Sequence, residues 1–435
     1  MKIDNLITIV EINQLAKYQQ LLVGFSGGLD SMVLLYYLAT NSILAPKIRA
    51  IHVNHGLSLA AYSWQEHCQN FCNNINIPLI IEKANIGTRG NIEEAARIAR
   101  YKIFAVYVKQ NHCLLLAHNK NDQAETLLLH LMRGAGINGL AAMKRKVKFG
   151  MGELRRPFLP CTRQTLATYA NLHQLLNWVE DESNQDLNFT RNYIRHKVLP
   201  ILQLRWPQAI SSLARTASHC QQGQENLLAL AHLDYGELNG TSLNCDLLIN
   251  LQHTRIINIL RAWLINNNVK LPSTNTCQRI IAEVLLAAQD AQPEIKWDKY
   301  YIKRYHNELH LLNNVCIKAA TPDVFWSFFP APIFLAAIKG YLMAMPANEG
   351  LVLPAGESVE IRFRRGGELF FFHGQTKKLK KLFQDWQVAP WLRNTVPLIY
   401  INKKLASVVG YAISDHFYQH QTKLAYQFMV TAKPC

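Results

Sequence analysis

Apolar runs and helical patterns alternate four times in the first third of the sequence, and this alternation constrains the fold more than any other feature. The apolar runs cover residues 21–25, 48–53, 79–81 and 113–117, and helical patterns follow them at 31–40, 60–75, 91–110 and 122–133. Such a series predicts a parallel sheet with helices on both faces, because parallel strands are joined by crossover helices. Ligands bind beyond the carboxyl ends of strands in these sheets, so we expect the chemistry just after Phe25, Val53 and Ala117.

The rest of the chain predicts two further domains. Residues 144–163 are rich in Lys and Arg and contain Gly and Pro, so they are expected to form a basic loop. Helical patterns follow at 165–176, 211–233, 255–264 and 275–288, whereas short β-like runs and turns begin near residue 296. We therefore divide the chain into an α/β domain at 1–212, a small helical domain at 213–318 and an α+β domain at 319–435.

The charge balance indicates a polyanionic partner. The 435 residues include 46 Lys and Arg against 30 Asp and Glu, a formal net charge of +16, and nucleic acid is the first candidate for a partner of such a chain. Hydrophobic residues make up 49% and charged residues 17%, which favours a globular protein over a disordered chain or a membrane bundle. No apolar run has the length of a signal peptide core or a membrane span, so we expect no membrane contact and a cytoplasmic location.

The cysteines are expected to be reduced thiols. Their number is odd, and no two of them are spaced C-x-x-C, so neither a disulfide framework nor a zinc site is predicted. They are Cys68, Cys72, Cys113, Cys161, Cys220, Cys245, Cys277, Cys316 and Cys435.

The most specific motif is an anion-binding loop between the first strand and the first helix. It reads Ser26, Gly27, Gly28, Leu29, Asp30, Ser31. The glycines let the backbone approach a phosphate, the serines add hydroxyl groups, and the helix that follows directs its free N–H groups at the anion. A carboxylate in such a loop requires positive charge between it and the phosphate, so Asp30 predicts an Mg²⁺ ion or a cationic group there. The alternative is a plain glycine turn before a helix.

This loop resembles the phosphate motif of the N-type ATP pyrophosphatases, which cleave ATP to AMP and pyrophosphate while they adenylate a substrate. Further segments resemble the tRNA(Ile)-lysidine synthases within that group, and they occur in the same order along nearly the whole chain. They lie at residues 52–57, 93–101, 118–126, 133–140, 181–195, 362–366 and 378–383.

The resemblance implies an ATP-dependent ligase that modifies tRNA. Its substrates would be ATP with Mg²⁺, L-lysine, and an isoleucine tRNA with the anticodon CAU, whose wobble cytidine is adenylated and then joined to lysine at C2. Domain 1–212 would be catalytic, and domains 213–318 and 319–435 would bind tRNA. The implied ATP contacts are the loop 26–31 and Arg97. Arg97 also lies four residues after Glu93, so an ion pair within the helix is an equal alternative.

His118, Asp122 and Glu125 are the candidate catalytic residues besides Asp30. His118 ends a predicted strand, and the two acids lie three residues apart at the start of the next helix, so they share one face. Paired carboxylates can hold the ammonium group of a lysine and assist loss of its proton. The alternative is a helix start whose acids complement the helix dipole. The sequence departs from the family pattern at Asn119 and Asn121, where a histidine and an aspartate are usual.

Basic residues elsewhere are candidate substrate contacts. Arg191 and Arg195 lie one helical turn apart and could clamp a carboxylate or phosphate, or could form a solvated basic face. In the last domain the candidates for tRNA contact are Arg364, Arg365, Lys378, Lys380 and Lys381. Aromatic residues lie among them and could stack on unpaired bases, but for residues 370–372 a buried strand is the better prediction.

Other activities are disfavoured by what the sequence lacks. A tRNA thiolase on the same fold would need a cysteine pair or an iron–sulfur site, and there is no C-x-x-C. A glutamine-dependent amidotransferase would need a glutaminase domain. An RNA-binding protein with a relic ATP site would not be expected to keep the loop 26–31 intact. The sequence leaves open whether the chain acts as a monomer or a homodimer.

Overall fold

The protein is represented by a computed structural model that describes residues 5–56, 61–84, 92–180, 182–288, 291, 293–313, 322–354, 356–421 and 424–431. Some features named above lie outside these ranges. They are Leu57 of the segment 52–57, Asp181 of the segment 181–195, two cysteines, Cys316 and Cys435, and the first residues of two predicted helices, Ala60 and Asn91. The chain forms two compact units, residues 1–226 and 227–435.

The first unit contains the predicted parallel sheet. Its strands are β1 (Gln20–Gly24), β2 (Ile48–Asn54), β3 (Leu79–Lys83), β4 (His112–Leu115), β5 (Lys146–Phe149) and β6 (Gly152–Arg155). They are arranged in the order β3-β2-β1-β4-β6-β5. All neighbours are parallel except β5 and β6, which pair in the antiparallel direction.

Helices cover both faces of this sheet, as the alternating pattern predicts. The helices of this unit are α1 (Ile9–Leu15), α2 (Leu29–Ala39), α3 (Ala61–Asn74), α4 (Ile92–Tyr107), α5 (Lys120–Met132), α6 (Ile137–Leu140), α7 (Arg163–Leu172), α8 (Thr190–Tyr193), α9 (Leu199–Arg205) and α10 (Ala209–Tyr235), which ends in the second unit. Leu21 and Val23 pack in one core with α1, α2, α3 and α7, whereas Leu22 packs in another core with α4. This division fits the period of a strand that is buried on both faces.

The prediction of a basic loop at residues 144–163 is wrong. Half of this stretch, residues 146–155, forms the hairpin β5–β6, which extends the sheet beside β4. Lys146 and Lys148 point outward on the edge strand β5, and Leu154 is buried on β6. Lysines are common on exposed edge strands because they oppose pairing with other chains, so the charges of Lys146 and Lys148 belong to a sheet edge and not to a loop.

The second unit begins with helices and a small antiparallel sheet. The helices are α11 (Asp246–Ile249), α12 (His253–Asn266) and α13 (Thr274–Arg279), and the strands are β7 (Ser242–Asn244), β8 (Glu294–Trp297), β9 (Tyr300–Tyr305) and β10 (Glu308–Asn313). A π-helical turn, Ile280–Leu285, continues α13. The helical patterns predicted here are present, but the sheet β7-β10-β9-β8 packs with them in one core around Trp263.

The remainder of the second unit is mostly antiparallel sheet. Its strands are β11 (Val324–Phe325), β12 (Ile333–Leu335), β13 (Gly340–Ala347), β14 (Gly350–Val352), β15 (Val359–Phe363), β16 (Leu369–Phe372), β17 (Gln375–Lys378), β18 (Pro397–Ile401), β19 (Lys404–Val408), β20 (Ala412–Ile413), β21 (Tyr418–Gln419) and β22 (Ala425–Thr431), and its helix is α14 (Leu379–Asp385). Phe370 is 1% exposed and packs against α14, which confirms the predicted core role for this residue, whereas Phe371 and Phe372 are half-buried. Among the helices in the described ranges, none has the length and hydropathy needed to cross a membrane.

Candidate active site

The loop after β1 has the geometry of an anion cradle. Gly27 has a φ of +81°, and a Cβ atom there would lie 3.0 Å from Cys68 Sγ, so the turn and its packing both require glycine. The Ser31 hydroxyl lies 3.2 Å from the Ser26 backbone nitrogen, whose N–H it accepts, and donates to the Gly28 carbonyl at 2.9 Å. Gly28 is the N-cap of α2 and has no side chain to occupy the first N–H groups of that helix. The first backbone N–H groups of α2 are therefore available to an anion.

The Asp30 carboxylate lies in the first turn of α2. Its Oδ2 accepts a hydrogen bond of 3.1 Å from Asn119 Nδ2, whereas the buried Oδ1 receives none from the residues that the structure describes. Burial raises the pKa of Asp30 to about 6, and the nearby Asp122 carboxylate contributes to this rise against the opposing effect of Arg163 and Arg195. Asp30 is therefore a carboxylate whose charge is incompletely compensated by the protein.

Helix α5 begins with a reciprocal cap. The Asn119 side-chain oxygen accepts from the backbone N–H groups of Asn121 and Asp122, at 2.8 and 3.1 Å, and Asp122 Oδ2 accepts from the Asn119 N–H at 2.9 Å. Asp122 and Glu125 lie on one face of the helix and share the same two partners, Arg191 and Arg195. The prediction that these two acids share a face is confirmed.

The two acids and the two arginines form one ion cluster. Glu125, with 1% of its side chain exposed, accepts from Arg195 Nε at 2.6 Å and from Arg191 Nε at 2.8 Å. Asp122, with 12% of its side chain exposed, accepts from Arg191 Nη2 at 2.9 Å and from Arg195 Nη2 at 3.2 Å. Burial lowers the pKa of the Arg195 guanidinium, but Glu125 and Asp122 more than offset this and raise it overall.

Sequence analysis assigned the two acids and the two arginines to different functions, whereas in the structure the acids form ion pairs with the arginines. The acids were expected to face a lysine ammonium and the arginines a carboxylate or phosphate. Each formal charge in the cluster instead meets an opposite one, so the four side chains sum to zero. The partners of Glu125 are 66 and 70 residues away in sequence, and no local pattern reports a contact of that range.

A small pocket of about 50 Å³ joins the cluster to the phosphate loop. It lies just beyond the carboxyl ends of β1 and β4, at the edge of the sheet where ligands were expected. Its lining consists of Asp30, Asn119, Asn121, Asp122, Glu125, Arg163, Arg195, Leu199 and Gln203. Sequence reasoning missed Arg163, Leu199 and Gln203. Arg163 was present in the basic stretch, but Leu199 and Gln203 gave no signal.

His118 is a neutral imidazole. Arg156 Nε donates to its Nδ1 at 3.3 Å, which leaves the ring proton on Nε2. Burial lowers the pKa of His118 to about 3, and the charges of Arg156, Arg191, Arg100 and Arg97 contribute to this shift. The ring is therefore a hydrogen-bond donor through Nε2 and a weak base at neutral pH. Sequence reasoning did not select Arg156, whose buried side chain sets this tautomer.

Arg97 lies on α4 and is half-exposed. Its guanidinium pairs with Glu94, three residues away, through contacts of 2.7 and 2.9 Å. The side chain of Glu93, the partner in the alternative, lies outside what the structure describes. Its charge is one of those that depress the pKa of His118. Arg97 therefore lies near the site, and a contact with ATP stays a prediction.

The candidate tRNA contacts in the second unit fall into two groups. Arg364 and Arg365 already face acids: Arg364 Nε lies 3.9 Å from Glu368, and Arg365 Nη2 lies 2.9 Å from Asp323. Lys378, Lys380 and Lys381 are exposed around the start of α14, and none forms an ion pair with another residue that the structure describes. The three lysines are therefore better placed than the two arginines to meet a phosphate backbone.

Comparison with known proteins agrees with this architecture. A PP-loop domain family matches residues 3–202, a TilS substrate binding domain matches residues 243–310, and a TilS substrate C-terminal domain matches residues 359–427. A solved TILS C-terminal domain aligns over its full length with 26% of this chain, at 20% identity and a TM-score of 0.22.

Curated relatives match along almost the whole chain. The tRNA(Ile)-lysidine synthase of Legionella pneumophila strain Lens is 46% identical over 94% of this chain and 94% of its own length. The tRNA(Ile)-lysidine synthase of Coxiella burnetii is 40% identical over 93% of this chain and 92% of its own length. With these matches added to the phosphate loop and its acidic neighbours, the chain belongs to the tRNA(Ile)-lysidine synthase family.

Proposed function

We propose that the pocket beyond β1 and β4 is where this ligase joins L-lysine to the wobble cytidine of an isoleucine tRNA with the anticodon CAU. The observation that carries the proposal is the hydrogen bond between Asn119 and Asp30. It joins the phosphate loop directly to the start of α5, so a nucleotide phosphate and the acids of α5 would share one pocket. The expected reaction needs the nucleotide phosphate and the acids of α5 within reach of the same cytidine.

The reaction has two steps. In the first, the C2 oxygen of the cytidine attacks the α-phosphorus of ATP and pyrophosphate leaves. In the second, the lysine amine attacks C2, the C2–oxygen bond breaks, and AMP leaves with that oxygen while the amine loses a proton. The backbone N–H groups at the start of α2 would bind the phosphates, since they point to where negative charge lies in both steps.

Asp30 fits an Mg²⁺ ion because its Oδ1 is a buried carboxylate oxygen that receives no hydrogen bond from a described residue. Bound there, Mg²⁺ would neutralise phosphate charge and so stabilise the departing pyrophosphate. Asp30 itself would orient the nucleotide, and its bond to Asn119 limits the directions its carboxylate can take.

Lysine would be held by Asp122 and Glu125 in different ways. Both acids line the pocket, but Asp122 keeps 12% of its side chain exposed, so it is the acid that an incoming ammonium group can contact. Glu125 is almost fully buried, and its contribution would be to hold Arg191 and Arg195 in position. Arg195 also lines the pocket and could bind the carboxylate of the amino acid. His118, as a neutral donor, would orient a substrate oxygen rather than accept a proton.

The tRNA would be bound by positive surface on both units. Residues 187–224 contain no Asp or Glu, and within them Arg205 is exposed beside Leu204 and Trp206, which are 89% and 59% exposed. Cations neutralise phosphates, and exposed aromatic rings stack on unpaired bases, so this stretch suits a tRNA loop whose target base enters the neighbouring pocket. Lys378, Lys380 and Lys381 would bind backbone elsewhere on the tRNA. A cytoplasmic location, where tRNA and ATP occur, is part of this proposal.

The proposal is tested by incorporation of labelled lysine into isoleucine tRNA bearing CAU, with ATP and Mg²⁺. We expect incorporation by the wild type, loss of it in Asp30→Ala, and retention in Glu66→Ala, which removes an exposed acid of α3. Cleavage of ATP to AMP without incorporation would mean that lysine is the wrong nucleophile. Binding of tRNA without ATP turnover would favour an RNA-binding protein with a relic site. Sedimentation of the same samples distinguishes a monomer from a homodimer.

A further inference from the structure

Asn119 stands between the two acids that line the pocket from different elements. It follows β4, is 2% exposed, and donates from Nδ2 to Asp30 Oδ2 at 3.1 Å. Its backbone N–H donates to Asp122 Oδ2 at 2.9 Å, and its side-chain oxygen accepts the two N–H groups that cap α5. One buried residue therefore touches the carboxylates of both Asp30 and Asp122.

The contacts of Asn119 require a side chain that both donates and accepts hydrogen bonds, as an amide does. The side chain donates to a carboxylate with one end and accepts from the backbone with the other, and neither an aspartate nor a serine can do both over this span. The hydrogen bond also opposes the rise in the pKa of Asp30 that burial and Asp122 cause. The sequence showed Asn119 only as a departure from the family pattern, and these contacts give the departure a physical reason.

We infer that Asn119 is a positioning residue that sets the Asp30 carboxylate relative to Asp122 for ATP-dependent activation of the substrate. The inference rests on the proposed function, because it takes the pocket to be the ATP site. The competing explanation is that Asn119 is an ordinary N-cap and its contact with Asp30 is incidental. The two explanations differ in what they predict for a residue that caps equally well but cannot donate.

The substitution Asn119→Asp distinguishes the positioning role from an ordinary N-cap. Aspartate and asparagine are equivalent N-caps, so both accepting contacts at the start of α5 survive the change. The donated hydrogen bond is lost, and a carboxylate takes its place next to Asp30 Oδ2. Because a hydrogen bond to a charged group is among the stronger ones, kcat/KM for ATP is expected to fall at least about tenfold, or about 1.4 kcal/mol.

The readouts are kcat/KM for ATP, the dissociation constant for tRNA and the unfolding temperature, all on the full chain. We expect only the first to change. Asn119→Ser keeps the cap without adding charge, and its loss is expected to lie between wild type and Asn119→Asp. Ser273→Asp changes the N-cap of α13 in the same way, with no contact to the pocket, and controls for the effect of a new acid at a helix start.

Two results would overturn the inference. One is an Asn119→Asp enzyme with wild-type or higher kcat/KM for ATP, since the donor would then be unnecessary. The other is a parallel loss of unfolding temperature, ATP use and tRNA binding, which would identify a structural cap. If wild-type protein itself incorporates no lysine but the variants still differ in AMP formation, the proposed function fails and the positioning role survives.

Discussion

Replacing Glu125 by glutamine tests whether the ion cluster holds the site together. Glutamine has nearly the same shape, but an NH₂ group replaces one of the two oxygens that accept from Arg191 and Arg195, so at least one of these hydrogen bonds is lost. Its amide group would then face a guanidinium donor, and the formal charge of the cluster would rise from zero to +1. Glu125→Gln is therefore expected to loosen α5 where it meets α8 and the π-helical turn Ile194–Val198.

The magnitude follows from burial. Removing one partner of a buried ion pair costs about 3–5 kcal/mol, and the lower end applies here because the arginines keep 31% and 25% of their side chains exposed. A local opening free energy lower by about 3 kcal/mol corresponds to about a 150-fold loss of protection. Native-state hydrogen exchange of the α5 amides measures this directly, because exchange reports opening of single elements.

A matched substitution separates the cluster from ordinary surface pairs. Glu283→Gln makes the same chemical change in a pair with Arg279 whose side chains are 50% and 52% exposed, and it is expected to leave protection of α5 unchanged. Protection of α5 in Glu125→Gln that stays within about threefold of wild type would refute the reasoning. It would mean that water already screens the four charges.

Three further predictions concern titration and tRNA binding. Because the pKa of Asp30 is raised to about 6 in the folded protein, ionisation of this carboxyl lowers stability as the pH rises above the pKa of the unfolded state, and the full cost is reached above about pH 6. Asp30→Asn should therefore raise the unfolding temperature at about pH 8 without Mg²⁺ but not at about pH 4. An equal effect at both pH values would contradict the raised pKa of Asp30. The His118 ring should show no NMR titration between about pH 5 and 8, and a midpoint in that window would mean that the ring is not held neutral by burial and by its arginine neighbours. Replacing Lys378, Lys380 and Lys381 together by alanine should weaken tRNA binding and lower the salt dependence of log K by about one unit for each phosphate that is no longer neutralised, whereas an unchanged slope would place the tRNA elsewhere.

Local patterns predicted the parts of the site that are local. The segment 26–31 contains its own glycine turn, hydroxyl groups and helix start, so its geometry could be derived before any contact was known. The same holds for Asp122 and Glu125, whose spacing alone places them on one face. Phe370 was assigned to the core from its apolar neighbours, and it is buried.

Contacts between distant segments could not be predicted in this way. The pairing of Glu125 with Arg191 and Arg195 depends on how α5 and α8 pack, and charge alone fitted a substrate clamp equally well. The hairpin β5–β6 was missed because its lysines follow the rule for an edge strand, whereas a composition-based prediction treats them as loop residues. In the sequence, Asn119 was only a departure from the family pattern, and only its position between Asp30 and Asp122 shows what an amide can do there.

The most direct test of the central claim is the chemical identity of the modified nucleoside. Isoleucine tRNA with the anticodon CAU is incubated with the protein, ATP, Mg²⁺ and lysine, then digested and analysed by mass spectrometry. We predict that the wobble cytidine gains lysine at C2 with loss of the C2 oxygen, and that no other cytidine changes. An unmodified wobble cytidine, or one that carries sulfur or a plain amino group, would contradict the account.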